Sequence, residues 1–259
     1  MRELAHSVTR LTGRIRRAIE RENGFRHIGS RSRYPILRLD IAPRAPVQHY
    51  DVSVVTAEVH AYVRAALPAP PVRVLEIGAG DGALAADLTS GGYDVVAIDP
   101  AGGPPNVVQV PLLELDEPAG SFAAALAVTS LHHVEPLGES CRHLAQLLPP
   151  GARLVVDEFD IGIFDEHAAK WWLGHAGDHH HERTPAEIVA DLRGHLHSVA
   201  TVVEALAPWF DIGEPVRGAY LHRWEIGPER RGEEEELIAA GAIPATGARF
   251  IATRASRAL

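Results

Sequence analysis

The spacing of apolar positions changes period along this chain, and the changes mark out its elements. Near the N-terminus Leu4, Val8, Leu11, Ile15 and Ile19 recur at three- and four-residue steps. That spacing lines one face of a helix and predicts a helix over residues 1–22, ended by Gly24. Residues 24–48 are punctuated by Pro35, Pro43 and Pro46 and read as an irregular arm. A second helical stretch, 51–67, stops at Pro68, Pro70 and Pro71. From 72 to 160 short apolar runs alternate with helical patterns, as in a parallel sheet with crossover helices. The runs predict strands near 72–77, 94–98, 106–110, 122–128 and 152–157. Residues 161–210 read as mostly helical and are rich in His and Trp, while 216–226 and 247–254 read as two final strands. Between these lies a polar helix ending at Gly241. The segment 160–212 is long for a plain connection and is expected to cap a pocket. The chain therefore divides into a basic helix and arm, 1–48, and an α/β domain, 49–259.

One run carries chemistry. Val74-Leu75-Glu76-Ile77-Gly78-Ala79-Gly80-Asp81-Gly82 reads as a buried strand entering a glycine turn, with a helix opening just after. Gly78, Gly80 and Gly82 remove side chains where a ligand must approach the backbone, and the helix start offers unpaired N–H groups. The glycine spacing alone also fits a dinucleotide site. Charge separates the two, because Glu76 and Asp81 would repel the pyrophosphate that such a helix end normally receives. They would attract a ligand bearing an ammonium and a sulfonium, such as S-adenosylmethionine (SAM). The second strand ends in Asp99, 17 residues after Gly82, within reach of ribose hydroxyls.

These segments, VLEIGAGDG followed by VVAIDP, resemble the first two motifs of class I SAM-dependent methyltransferases. The resemblance continues through SFAAALAVTSLHHVE, HLAQLLPPGARLVVDEFD and ARFIATR. It covers residues 50–259 and is nearest to the small-molecule group typified by ubiquinone and menaquinone methyltransferases. It implies an α/β, Rossmann-like, doubly wound sheet of seven mostly parallel strands with an antiparallel last strand, N-terminal helices and a helical cap. It implies SAM as cofactor, held by Glu76, Gly78, Ala79, Gly80, Gly82, Asp99, Pro100, Leu112 and Thr129. Two positions depart from the family: Ala123 and Pro111 stand where acids are common, which leaves adenine recognition to backbone groups around Leu112 and to apolar stacking.

Further candidates sit where ligands bind such sheets, beyond the C-terminal ends of the strands. His132 and His133 follow strand four and are the candidates for orienting the acceptor or taking its proton; shaping the loop is the alternative. Tyr50, Glu158, Trp172 and His175 are candidates for contacting substrate, against packing or capping roles. The cluster His175, His179, His180, His181, His195 and His197 lacks an i, i+4 pair on an established helix, so no metal site is expected.

Bulk properties narrow the setting. One cysteine, Cys141, excludes an internal disulfide and suits a reducing cytoplasm. No apolar run reaches the roughly 20 residues of a membrane span. The net charge of −9 is uneven: residues 1–44 carry 11 Arg against 4 acids, and the rest is strongly acidic. The basic segment lacks the interleaved aromatics of a single-strand binder, which argues against nucleic acid. A helix docking on the acidic body, or on a second subunit in a homodimer, is the simpler reading. The functions that fit are methyl transfer to a small molecule, methyl transfer to protein or RNA through the Arg-rich arm, a non-methylating reaction on the same fold, and a non-catalytic SAM-binding module.

Overall fold

Residues 73–77, 94–99, 107–109, 124–128 and 153–159 form β1 to β5, all parallel, in a computed structural model that describes residues 57–177 and 182–257. Each begins within two residues of its predicted start. The sheet order is β3-β2-β1-β4-β5, followed by β8 (Gly247–Arg254), which runs antiparallel to β5. Two short strands, β6 (Phe210–Ile212) and β7 (Val216–Gly218), then pair with the free edge of β8. They are one edge strand broken at residues 213–215. Gly213 donates to the Ile251 carbonyl at 2.9 Å, and a Cβ there would lie 2.8 Å from that oxygen. The sheet thus has eight strands in the seven expected positions.

Side-chain alternation in β1 shows how the layers form. Val74 packs into a cluster with Val59, Val63, Leu84 and Leu88 from α1 (Ala57–Ala66) and α2 (Ala83–Ser90). Leu75 and Ile77 point the other way, into the main core with Leu144 and Leu147 of α3 (Leu137–Leu147). The same core takes Val199, Val202 and Leu206 of α6 (Val199–Leu206). Helices on both faces are what make the sheet doubly wound. Among the described residues no helix is long and apolar enough to cross a membrane.

A second apolar core lies at the end of β5 and beyond it. It gathers Phe159, Ile161 and Phe164 with Ala168, Ala169 and Trp172 of α4 (Glu166–Leu173), Ile188 and Leu192 of α5 (Pro185–His195), and Tyr220, Leu221, Trp224 and Ile243. α4 and α5 belong to the expected cap. The rest corrects two expectations. Residues 219–226 are not a strand: they leave the sheet after Gly218 and form a 3-10 turn, Leu221–Arg223, that completes the cap. And α6 with β6, inside the span assigned to the cap, belongs to the sheet layers. The polar helix is α7 (Arg231–Ala239), and Gly241 follows it at φ +68. The predicted helix over 1–22, the arm and residues 51–56 lie outside the described residues.

Candidate active site

The turn after β1 is fixed by what it donates. Gly78 and Ala79 both give their N–H to the Ile98 carbonyl, at 2.9 and 3.0 Å. Gly80 N–H reaches Asp99 Oδ2 at 3.1 Å, and Ala101 N–H reaches Asp99 Oδ1 at 2.8 Å. Asp99 therefore pins the end of β2 to the glycine turn, while each oxygen keeps capacity for a second donor. Asp81 is exposed and accepts from Ala83 N–H at 2.9 Å, opening α2. Two glycines are needed for different reasons. Gly78 has φ +70 and a Cβ would collide with Ser130, whereas Gly80 has φ +52 and a Cβ would meet nothing within 4 Å. The crevice over Gly80 is open space bordered by backbone.

Glu76 ends β1 beneath this crevice. It is 4% exposed and its Oε2 is buried with no hydrogen-bond partner. Burial, helped by the Asp81 charge, pushes its carboxyl up to about 8. An unpartnered buried carboxylate oxygen is costly, and an arriving cation removes that cost. SAM fits: an acid lacking a counter-ion, a bare main-chain cradle and a ribose-level carboxylate lie along one strand-end crevice. The expected repulsion of a pyrophosphate gains a condition. Burial makes Glu76 hold its proton more tightly than a free carboxyl, and a cation in the crevice favours its ionised form. Pro100 is exposed just after β2, and Leu112 is buried in the main core at the start of the 3-10 turn Leu112–Glu114.

The loop after β4 forms the facing wall. Thr129 has φ +53, an outlier for a β-branched residue, and its N–H donates to the Asp157 carbonyl at 2.7 Å. Glu158 is fully buried and turned into this loop. Its Oε1 accepts from Ser130 and Leu131 N–H at 2.9 and 2.6 Å, and its Oε2 bonds His132 Nδ1. Glu158 thus serves the protein, not a substrate, because burial leaves it no route to one. His132 is buried too, its ring 4.3 Å from that of His133, which is exposed.

The same clamp occurs a second time, and the sequence reading missed it. Fully buried Glu234 of α7 accepts from Tyr220 and Leu221 N–H through Oε1 at 2.7 and 2.8 Å, and from His222 N–H at 2.9 Å through Oε2, which also lies 2.7 Å from His222 Nδ1. Leu131–His133 and Leu221–Arg223 are matching 3-10 turns, preceded by Ser130 at φ −137, ψ −37 and Tyr220 at φ −141, ψ −38. The turns touch. Tyr220 hydroxyl pairs with Thr129, and burial pushes its phenol up to about 12. Arg223 bonds Asp157 Oδ1 at 2.6 Å. Both turns carry a Leu-His pair, but so does Leu196-His197, and without the distant glutamates the pair does not mark a clamp.

The other candidates fall elsewhere. Trp172 is fully buried in the cap core, stacked on Trp224 at 4.2 Å and donating to the Trp224 carbonyl at 2.9 Å, so it packs and does not face a ligand. His175 is tied back to the Trp171 carbonyl at 2.8 Å and lies 3.6 Å from Glu233. Tyr50 and the histidines at 179–181 lie outside the described residues. Among the described residues no group of three His, Cys, Asp or Glu could hold a metal ion.

The doubly wound sheet with its reversed last strand and acid-flanked glycine crevice defines a class I SAM-dependent methyltransferase. The chain belongs to the methyltransferase-domain family, whose model matches residues 46–194. It is similar to the ubiquinone biosynthesis O-methyltransferase of Azorhizobium caulinodans, 27% identical over 154 residues, covering 50% of this chain and 60% of that protein. The match thus spans less than two thirds of that relative. The fold is shared with a SAM-dependent methyltransferase from Mesorhizobium loti (TM-score 0.51, 19% identity, 77% of this chain and 98% of that one). It is also shared with the [4+2]-cyclase SpnF (TM-score 0.50, 17% identity, 76% and 81%).

Proposed function

We propose that this enzyme transfers the methyl group of SAM to a small-molecule acceptor. The observation that carries this reading is the cap. Its core joins β5 through Phe159 and reaches the end of β4 through the Tyr220–Thr129 contact. The ends of β4 and β5 are therefore flanked by a packed layer, an arrangement suited to a compact ligand and poorly suited to a macromolecule. SAM supplies an electrophilic methyl carbon on its sulfonium. Glu76, with Gly78, Ala79, Gly80, Gly82, Asp99, Pro100, Leu112 and Thr129, holds it in the crevice, Glu76 by meeting its positive charge. His133, the exposed member of its pair, contacts the acceptor and takes its proton where it carries one. His132 and Glu158 position that loop. The chain's part is to align and to exclude water, since alignment supplies much of the rate in such a displacement.

The test uses methyl-labelled SAM, the full chain, and cell extract divided by dialysis. Label in the dialysable fraction, with a product heavier by one methylene unit, supports the reading. Label confined to retained protein or RNA overturns it. An acceptor that is consumed without mass gain points to a non-methylating reaction.

A further inference from the structure

A cavity of about 290 Å³ opens where β5, β7 and β8 meet α1 and α7. Four guanidinium groups line it: Arg217 of β7, Arg223 of the second clamped turn, Arg231 of α7 and Arg249 of β8. Three carboxylates line it too, Glu58, Asp157 and Glu235. These acids are largely spent. Asp157 receives Arg223 at 2.6 Å on one oxygen and Arg249 at 2.5 Å on the other. Glu58 receives Arg249 at 2.6 Å and Arg231 on its second oxygen, and Glu235 receives Arg231 at 2.7 Å. Arg217 pairs outside the cavity with Asp160, at 2.6 Å.

The donors are not spent. Each guanidinium carries five N–H groups and no acceptor. Arg223 is 4% exposed, and its Nε is buried with no partner among the described residues. Arg217 donates to Asp160 through a single terminal nitrogen, and Arg231 uses Nε and one terminal nitrogen. Four guanidinium groups line the cavity against three lining acids, and Asp160 balances the fourth by holding Arg217. A ligand here must bring acceptors, because the lining guanidinium groups carry more N–H groups than the bonds they make to carboxylates. The small side chains of Gly218, Ala219, Gly247 and Ala248 leave the room. The cavity is also coupled to the site described above. Arg223 ends the Glu234-clamped turn and lies 3.5 Å from Thr129 Oγ1.

We propose that this cavity receives the oxyanion of a small acidic acceptor, a carboxylate or a phosphate ester, through the N–H groups of Arg223, Arg217 and Arg231. This rests on the small-molecule reading and names its substrate class. Guanidinium forks match both oxyanions, and charge-assisted bonds of this kind discriminate strongly against neutral isosteres.

The experiment titrates the full chain, loaded with S-adenosylhomocysteine, with benzoate, phenyl phosphate and neutral benzamide in a calorimeter. At least one anion is expected to bind roughly tenfold or more tightly than benzamide, and the better of the two identifies carboxylate or phosphate. Arg217→Gln and Arg231→Gln, at half-exposed positions, are each expected to weaken that anion by roughly tenfold while affinity for S-adenosylhomocysteine stays unchanged. Circular dichroism checks that each variant is folded, and either one suffices. Anions no tighter than benzamide, or anion binding indifferent to both substitutions, would overturn the proposal. Turnover of a neutral small molecule alongside that failure would leave the small-molecule reading standing.

Discussion

Gly78 and Gly80 both hold left-handed backbone two residues apart, yet an added methyl group meets different surroundings. At Gly78 it strikes Ser130 in the wall opposite; at Gly80 it enters open space. Gly78→Ala is therefore expected to be the more destabilising, measured by chemical unfolding. Gly80→Ala is expected to cost about 1 kcal/mol in stability, the strain of a left-handed residue, and to lose SAM affinity in calorimetry far beyond that. Unchanged SAM affinity in Gly80→Ala would remove the assignment of the crevice to the cofactor. Glu76 predicts a pH dependence. Its folded carboxyl titrates near 8 against an ordinary 4.5, so between those values the unfolded chain binds fewer protons than the folded one. Stability of the ligand-free protein is expected to fall as pH rises through that window. SAM, a cation, favours the ionised form, so its affinity rises across the same window and binding releases protons. Glu76→Gln is expected to flatten both trends and to weaken SAM. Calorimetry in buffers of different ionisation enthalpy counts the protons, and zero release near pH 7 would contradict this role.

The paired clamps explain what the chain disclosed and what it concealed. β1 to β5 were legible because Val74, Leu75 and Ile77, and their equivalents, form short apolar runs bounded by glycine and proline, and because Glu76 and Asp99 sit at strand ends where local spacing alone places them. Residues 219–226 were misread. Tyr220, Leu221 and Trp224 have strand-like composition, but their apolar surface is buried by the cap, and the turn exists because Glu234, remote in sequence, collects its N–H groups. For Trp172 the sequence leaves substrate contact and packing both open for the same reason: its partner, Trp224, lies 52 residues on. Removing a clamp should therefore act on one turn. Glu234→Ala is expected to cost on the order of 3 kcal/mol, since several buried donors lose their acceptor together. Burial works to raise the Glu234 carboxyl, but His222 and the backbone N–H groups of residues 220–222 outweigh it and hold it below 4.5. Its contribution is thus complete above 4.5 and is lost as pH falls through the folded value. Unfolding measured from neutral to acid pH is expected to show a shallower acid limb for Glu234→Gln than for the parent.

Two cores separated by the end of β5 imply two steps of unfolding. The cap core is the smaller and meets the sheet mainly through Phe159 and the contacts of Tyr220 and Arg223 with Thr129 and Asp157. Elements with fewer buried contacts open first. Trp171, Trp172 and Trp224 pack in the cap, while Trp209 packs against the sheet core, so tryptophan fluorescence reports mainly the cap and far-ultraviolet circular dichroism reports the whole chain. In a denaturant titration the fluorescence midpoint is expected to precede the dichroism midpoint; coincident transitions would mean that sheet and cap form one cooperative unit. The ligands should separate the steps further. In the proposed crevice at β1 and β2, S-adenosylhomocysteine is expected to stabilise the sheet and to move the later midpoint. An oxyanion held by Arg223 and Arg217 ties the second turn to β7, and moves the earlier one. A cap that tightens only when its acidic ligand arrives would let acceptor enter and product leave while the cofactor stays seated below, and hydrogen exchange at residues 220–224, slowed by the anion and indifferent to S-adenosylhomocysteine alone, is the signature to look for.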